Sequence, residues 1–407
     1  MFLRKYVEMP MVKSIRNAVL ICNLNVCLVI SLYSHALLII MQKYAMKNLL
    51  YFLIAGLFTC AGILNASHKE SVHTYSIVAY DPVNGDLGVA VQSKFLGVGP
   101  VVPWVEAGVG AIATQAWANT QYGPDGFAML KDGKSAGETG QQLIRNDENA
   151  NHRQVGIVDA EGGVWVWTGD ECHDWAGHIK GENFTVQGNL LADEQVVRDM
   201  ADAFEETGGD LAVRLLAALR AGEDAGGDRR GSQSSALMVY RKNGGYAGYN
   251  DRFIDLRVED HDDPVGELER IFLLWEEFLG MQARARTAKM FEDDDKKDAA
   301  RRERDRIMYI ADRMVERDSE DVGSLIRIGW LLINEDVHVE HGLQLAQKAV
   351  LLAPENRDAL YLLGEGYYKI GEHMEAIEAF EYALSKFPGD QQIKSRLREI
   401  MEIQNTE

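Results

Sequence analysis

The chain has 407 residues, and 46% of them are hydrophobic, so it is long enough for two or three globular domains with buried cores. Its 62 acidic residues outnumber its 42 basic residues and give a formal net charge of -20 at pH 7. This surplus of negative charge, with no basic stripe interleaved with aromatic residues, argues against nucleic acids and anionic membranes as partners.

The first 67 residues are typical of a leader region rather than of a globular fold. Met46-Lys47-Asn48 forms a short basic start, residues 49–57 are apolar, and Leu64-Asn65-Ala66 resembles a cleavage site. We therefore expect a signal peptide at about 46–66 and export to the periplasm or to the cell exterior.

A second apolar stretch, at 18–40, lies upstream of that signal. Either residues 1–45 are a start-site artefact, which we favour because residues 41–66 already form a complete signal, or the upstream stretch is a membrane helix. Three of the four cysteines fall in the leader, so Cys172 alone remains in the mature chain. No intramolecular disulfide is expected there.

Residues 68–280 are predicted to form one domain of mixed α and β structure. Its first two strands flank the turn Asp81-Pro82-Val83-Asn84-Gly85-Asp86, which is a hairpin signal. Strands are expected at 74–80, 86–93, 109–115, 154–159, 163–168 and 235–241, and helical spacing of apolar residues predicts helices at 194–206, at 211–220 and from Asp262 to Leu279.

Two further regions follow this domain. Residues 281–320 are dense in both charge signs, which predicts a solvated helical linker. In residues 321–407, Pro354 and Pro388 lie 34 residues apart, one tetratricopeptide (TPR) period. The last repeat fits the TPR pattern at Leu360, Leu363, Gly364, Tyr367, Ala376, Phe380, Ala383 and Pro388. Since two repeats are marginal alone, residues 300–320 could supply a third helix pair, or the pair could dock on the first domain.

Thr74 stands at the head of the first predicted strand. A threonine that becomes the first residue of a chain has its own α-amine, with a pKa of about 8, as a base for its hydroxyl. This is the chemistry of N-terminal-nucleophile (Ntn) hydrolases. From its position alone, however, an ordinary strand threonine is the simpler interpretation.

Three other segments could carry chemistry. Residues 226–235 are polar and Gly-rich and lead into a strand, so their N–H groups could hold an oxyanion and Arg230 a carboxylate, or they could form a surface loop. Val186-Gln187-Gly188-Asn189 places two amides beside a glycine. The Cys172–His178 cluster suggests zinc, but one loop rarely closes a tetrahedral site, so we predict no metal and no cofactor.

Six motifs in order support a resemblance. They are Thr74–Ala79, Gly88–Ser93, residues 107–115, Trp175–His178, Val186–Asn189 and Gly227–Ser234. Together they resemble the Ntn-hydrolase-like family known as domain of unknown function 1028, over residues 74–260. The resemblance implies an α+β fold, a four-layer αββα sandwich, followed here by an α-helical TPR-like region; it implies no known substrate.

The same resemblance suggests the site residues. Thr74, Ser93, Gln115 and Asn189 are the candidate catalytic residues, and Asp228, Arg230, Gln233, Ser234 and His178 are the candidate substrate-binding residues. Proteasome-like sites support the threonine with a Lys and an Asp. The corresponding strands here offer Ser93 or Lys94 and Thr114 or Gln115, so these ionisable groups are not clearly matched.

Two classes of function remain open. The chain is either an amidohydrolase or peptidase that cleaves an amide bond with Thr74, or a non-catalytic ligand-binding or scaffold protein of the cell envelope. The first requires a cut between His73 and Thr74, because the expected signal cleavage leaves residues 67–73 ahead of Thr74. In either case we expect a protein partner for the TPR repeats, no nucleic acid, and homo-oligomerisation as an open alternative.

Overall fold

The computed structural model describes residues 74–404. The leader, the expected signal peptide at 46–66, the His73–Thr74 bond and residues 405–407 lie outside the described residues. The strands are β1 (Thr74–Asp81), β2 (Asp86–Ser93), β3 (Pro103–Glu106), β4 (Gly110–Ala116), β5 (Arg153–Asp159), β6 (Val164–Thr168), β7 (Gly177–Gly181), β8 (Phe184–Asn189), β9 (Ser234–Tyr240) and β10 (Arg252–Val258).

Helices occur in both parts of the described chain. Those of the first part are α1 (Tyr122–Lys131), α2 (Ala136–Arg145), α3 (Gln195–Glu206), α4 (Leu211–Asp224) and α5 (Pro264–Trp275), which a π-helical turn (Glu276–Gly280) continues. Those of the second part are α6 (Met281–Asp293), α7 (Lys297–Arg317), α8 (Val322–Asn334), α9 (Val339–Leu352), α10 (Arg357–Lys369), α11 (His373–Lys386) and α12 (Gln391–Gln404).

The strands form two antiparallel sheets that pack face to face. One has six strands in the order β10-β9-β2-β1-β8-β7, and the other has four in the order β3-β4-β5-β6. Helices α3 and α4 cover the six-stranded sheet, and α1 and α2 cover the four-stranded sheet. The predicted αββα sandwich is therefore confirmed, with β1 near the middle of the larger sheet.

Alternation along β1 explains the layers. Tyr75, Ile77 and Ala79 pack against the helices α3 and α4, while Val78 faces the other sheet. Successive strand residues point to opposite faces, so a strand buried on both faces needs apolar residues on both. Thr74 and Ser76 lie on the same face of β1 as Val78. They make that face polar at one end of the sandwich.

Four strands and two helices of the first part were not predicted from the sequence. Strand β7 has glycine at both ends and a lysine inside it, and β8 ends in Gln187 and Asn189, the two amides noted in the sequence as candidates for chemistry. The missed strands are β3, β7, β8 and β10, and the missed helices are α1 and α2. Helix α2 had a signal, since Ser135 and Glu138 form a capping box at its start.

The second part is a stack of antiparallel helices. Pairs α8–α9 and α10–α11 fall on the two predicted TPR units, and α12 packs after them. Met281, Ile307 and Met314 share a core with Leu325 and Ile328 of α8, so α6 and α7 continue the stack toward the sandwich. Helices α6 and α7 therefore span most of residues 281–317, and one face of each is buried.

Within residues 74–404, no helix has both the length and the apolar character that crossing a membrane would require.

Candidate functional site

Thr74 is the first residue of β1 and is fully buried. It lies between two neighbouring strands, opposite Ser93 of β2 and opposite Asn189 of β8. Its hydroxyl donates a hydrogen bond to Ser93 Oγ at 3.2 Å. The pairing thus brings three of the predicted catalytic residues to one end of the central strands.

Gln115 reaches the same point from the opposing sheet. It lies on β4, and its Nε2 donates to the main-chain oxygens of Thr74 and Gln187, both at 3.2 Å. Ser76 donates through its hydroxyl to Gln115 Oε1 at 2.6 Å. Gln115 therefore ties the head of β1 to the second sheet.

Gln154 of β5 extends this network toward the surface. Its Oε1 accepts from Gln115 Nε2 at 2.9 Å and from Asn189 Nδ2 at 3.0 Å. Its Nε2 donates to the hydroxyl of Thr168 at 2.9 Å, and that hydroxyl bonds His178 Nδ1 at 2.8 Å. His178 is thus linked to the site through two residues, and burial lowers the pKa of its ring.

We call this set the amide cluster: Thr74, Ser76, Ser93, Gln115, Gln154, Gln187 and Asn189. All seven side chains are neutral and fully buried. Sequence reasoning did not single out Ser76 or Gln154, and it named Gln187 only as part of the segment Val186–Asn189. The available signal was the glutamine that recurs inside otherwise apolar strands, because a buried amide needs partners from neighbouring strands.

The Gly-rich loop docks beside Ser93. Asp228 accepts from the main-chain N–H of Lys94 at 3.1 Å and from Arg230 Nη2 at 2.6 Å. The N–H of Gly231 donates to the main-chain oxygen of Asp228 at 2.8 Å. The Arg230 guanidinium and the Gly231 N–H, which the sequence suggested for substrate, thus have partners within the loop.

The remaining predicted binding residues have separate surroundings. Ser234 lies opposite Ser93 in the β2–β9 ladder, but its hydroxyl donates to the main-chain oxygen of Phe95 at 2.5 Å. Gln233 donates to Asp260 Oδ1 at 3.0 Å. Ser234 therefore stays near the amide cluster, whereas the side chain of Gln233 is bonded to Asp260.

The described residues do not form a metal centre. Across 74–404, no group of three or more His, Cys, Asp or Glu side chains is arranged to hold a metal ion. The Cys172 thiol lies 3.4 Å from the main-chain oxygen of Arg153, and burial raises its pKa to about 11. At neutral pH this thiol is protonated, so it is a poor nucleophile and a poor metal ligand.

Two surface cavities lie away from Thr74. The larger, about 1520 Å³, lies between β10 and helices α6 and α8; we call it the junction groove. The smaller, about 270 Å³, is lined by residues that include Asn119, Tyr122 and Asp147. Neither cavity is lined by a residue of the amide cluster.

Comparison with known proteins places both parts of the chain. The model of a family of unknown function, DUF1028, matches residues 74–268, and that of the Fis1 C-terminal tetratricopeptide repeat matches 357–406. The crystal structure of protein SPO2555 from Silicibacter pomeroyi, a DUF1028 protein, is 30% identical over 51% of this chain and 87% of its own, with a TM-score of 0.46.

TPR proteins are also among the similar structures. The first TPR domain of human RPAP3 is 13% identical over 31% of this chain and 93% of its own, with a TM-score of 0.23. MamA from Desulfovibrio magneticus RS-1 is 18% identical over 34% of this chain and 76% of its own, with a TM-score of 0.24. No curated protein matches the sequence. The chain belongs to the DUF1028 family and continues into C-terminal TPR repeats.

Proposed function

We propose that this chain is an Ntn-type amidohydrolase in which Thr74 acts once the peptide bond from His73 is broken. The observation that carries the proposal is the position of the Thr74 hydroxyl, at the head of a central strand and 3.2 Å from Ser93 Oγ. A strand end clamped from both sides holds a nucleophile in one geometry, which is what acyl transfer needs.

The activating cut follows from the same hydroxyl. Thr74 Oγ1 would attack the carbonyl carbon of His73 and form an ester, while the His73–Thr74 C–N bond breaks and the Thr74 nitrogen takes up a proton. Water would then hydrolyse the ester and leave a carboxylate on His73 and a free α-amine on Thr74. That amine, with a pKa of about 8, would be the base for later substrates.

The neighbours of Thr74 would hold it in position rather than act as its base. Gln115 holds the Thr74 main-chain oxygen, and Ser93 accepts from its hydroxyl. The Nδ2 of Asn189 donates to Gln154 Oε1 in the intact chain, and it is the donor that we propose for an oxyanion. Because the amide cluster is neutral, the α-amine of Thr74 would be the base of the site.

The proposed substrate is an amide or peptide-like bond with a nearby carboxylate. Arg230 is partly exposed at the loop beside Ser93 and would hold that carboxylate, although its present partner is Asp228. Asp228, Ser234, Gln233 and His178 would complete the substrate side of the site. For Arg230 to bind a substrate in this way, the substrate carboxylate must replace the Asp228 carboxylate as the partner of its guanidinium.

The intact mass of the protein purified from its native host tests the proposal. A species that begins at Thr74 is expected beside any species that begins near Ser67. N-terminal sequencing of the same material tests the export that we also propose, since a cytosolic protein that retains Met46 would contradict it. If every molecule begins upstream of Thr74, the α-amine required as the base does not exist.

A second candidate has an observation of its own. Thr74 is fully buried in the intact chain, and the amides of Gln115, Gln154, Gln187 and Asn189 bond within the amide cluster. A saturated buried network of this kind also serves to fix one core arrangement. In that case the sandwich is a ligand-binding or scaffold module, and the TPR repeats, which are protein-interaction modules, would recruit its partner.

A further inference from the structure

The junction groove has one wall from each part of the described chain. Residues of β10, Arg252, Asp255 and Leu256, form one side, and residues of α8, including Arg327 and Trp330, form the other. The π-helical turn and α6 close the base through residues such as Phe278 and Arg286. The groove therefore joins a sheet edge to the first TPR helix.

Strand β10 is the outermost strand of the six-stranded sheet. It pairs with β9 on one side, and within residues 74–404 no strand pairs with its other side. In an edge strand, alternate residues direct their main-chain N–H and C=O groups outward, where they can pair with an added strand. Since β10 lines the junction groove, an extended peptide in the groove could pair with it.

Three arginines give the groove its charge character. Arg252, Arg286 and Arg327 line it, and none forms an ion pair with a carboxylate in the described part of the chain. Arg286 Nη2 donates to the main-chain oxygens of Gly244 at 3.0 Å and Gly245 at 2.6 Å, and its buried Nε has no partner among the residues described. Arg286 therefore retains an uncompensated charge.

The carboxylates that line the groove are mostly neutralised. The pairs are Asp255 with Arg257, Glu277 with Arg313 and Arg317, Glu335 with Lys289, and Asp358 with Arg357. Asp293 is the groove carboxylate for which no ion pair occurs within 74–404. Three unpaired arginines against one aspartate, in a chain of net charge -20, make the groove locally basic.

Aromatic side chains complete the surface. Tyr246 is 74% exposed and Phe278 is 60% exposed, and both line the groove. Arg327 lies over the Phe278 ring, 5.5 Å from its centroid, which keeps the guanidinium and the ring side by side. An occupant with alternating apolar and acidic side chains would meet both kinds of group.

We propose that the junction groove binds an extended acidic peptide segment of a partner protein, which adds as a strand to the free edge of β10 and directs its carboxylates to Arg252, Arg286 and Arg327. The proposal deepens the protein-binding role of the TPR region and is independent of any chemistry at Thr74. It also explains why the groove includes both domains: the sheet supplies main-chain pairing and α8 supplies charge and aromatic contact.

The test uses the full chain and three fluorescein-labelled nine-residue peptides, measured by fluorescence anisotropy. The first alternates valine and glutamate, and the others replace every glutamate by lysine or by glutamine. The acidic peptide should bind most tightly, and the lysine peptide should bind at least about tenfold more weakly, because charge-assisted hydrogen bonds are lost. Equal binding of the acidic and lysine peptides would overturn the proposal.

Two matched changes locate the site. The double variant Arg252→Gln and Arg327→Gln alters two exposed groove residues and should weaken acidic-peptide binding at least about tenfold. Arg398→Gln, an exposed arginine of α12 outside the groove, should leave it unchanged. An equal loss in both proteins, or none in either, would count against the groove as the site.

Backbone methylation tests the added strand. N-methylation of alternate residues on one edge of the acidic peptide should abolish binding, while methylation of the other alternate set should be tolerated, because only one edge pairs with β10. Equal tolerance of both sets would exclude strand addition. Light scattering tests whether a second copy of the chain occupies the groove instead. A dimer of the natural chain that is lost in the Arg252→Gln and Arg327→Gln double variant would assign the groove to a second copy and overturn the peptide proposal.

Discussion

Arg241 and Glu303 lie 2.9 Å apart, Nη2 to Oε1, and both side chains are almost completely buried although 62 residues separate them in the chain. Arg241 follows β9 and also bonds Asp86 through Nε at 2.7 Å, while Glu303, on α7, accepts from Arg284 Nη1 at 3.1 Å. These contacts form a buried ion network between the sandwich and the first helices after it. The two parts are therefore joined by charge as well as by apolar packing.

Removing the central arginine should be severely destabilising. Arg241→Met leaves Asp86 and Glu303 buried without their partner, and loss of one partner of a buried pair costs about 3–5 kcal/mol. We expect that decrease in the free energy of unfolding, measured by urea denaturation. The control is Arg270→Met, which removes the exposed partner of Glu267 and should leave the urea midpoint nearly unchanged. Similar midpoints for both variants would contradict a structural role for the network.

Asp147 should make stability depend on acid pH. Burial alone would raise the pKa of its carboxyl, but hydrogen bonds from Arg153, the N–H of Asn149, Tyr122 and Asn119 outweigh it and hold that pKa below 3.8. A carboxyl with a lowered folded-state pKa stabilises the fold above its unfolded value, and this contribution is lost as the pH falls through the folded pKa.

Asp147→Asn should therefore be less stable than the natural chain at about pH 7, and the difference should begin to shrink only below about pH 4 and continue to shrink as the pH falls further. Thermal unfolding across that range measures it. Asp132→Asn, which changes an exposed aspartate, is the matched control, and its melting temperature should match that of the natural chain at every pH. A constant difference for Asp147→Asn at every pH would mean that the carboxylate charge contributes nothing.

Close packing of the last repeat gives a third prediction. A Cβ on Gly364 of α10 would lie 2.6 Å from the ring of Phe380 on α11, which is fully buried. Gly364→Ala should cost about 1–3 kcal/mol through overpacking and lower the melting temperature. Gly389 has no atom within 4 Å of an added Cβ, so Gly389→Ala should show no such loss. If Gly364→Ala and Gly389→Ala melt at the same temperature, α10 and α11 cannot pack as closely as the Gly364–Phe380 contact requires.

Sequence reasoning succeeded where a pattern is local and failed where a partner is distant. The β-branched runs at β1 and β2 and the TPR spacing around Gly364 and Phe380 specified their elements directly. In residues 281–320 the dense charge predicted a solvated linker, yet Arg284 and Glu303 are buried there. Their partners include Asp210 for Arg284 and Arg241 for Glu303, which lie more than 60 residues away, so local spacing does not distinguish these two residues from exposed ones.

The amide cluster shows the same limit. Ser93 and Gln115 were predicted because they occupy recognisable motif positions, whereas Gln154 was missed because its importance lies in contacts with three other strands, through Gln115, Thr168 and Asn189. The glutamine that recurs inside apolar strands marks a buried amide, but the spacing within one strand does not show which partners it will meet. Only the face-to-face packing of the two sheets brings these amides into one network.

Thr74 itself is tested by two substitutions that differ in one property. Thr74→Ser keeps a hydroxyl and Thr74→Ala removes it, so only the alanine variant should lack the species that begins at residue 74 in intact-mass spectra. Loss of the bond to Ser93 should cost only about 1 kcal/mol, too little to unfold the sandwich. Thr139→Ala changes a buried threonine of α2 outside the amide cluster and should be processed normally. Processing that persists in Thr74→Ala would require another nucleophile, and no processing in any protein would leave the scaffold hypothesis in its place.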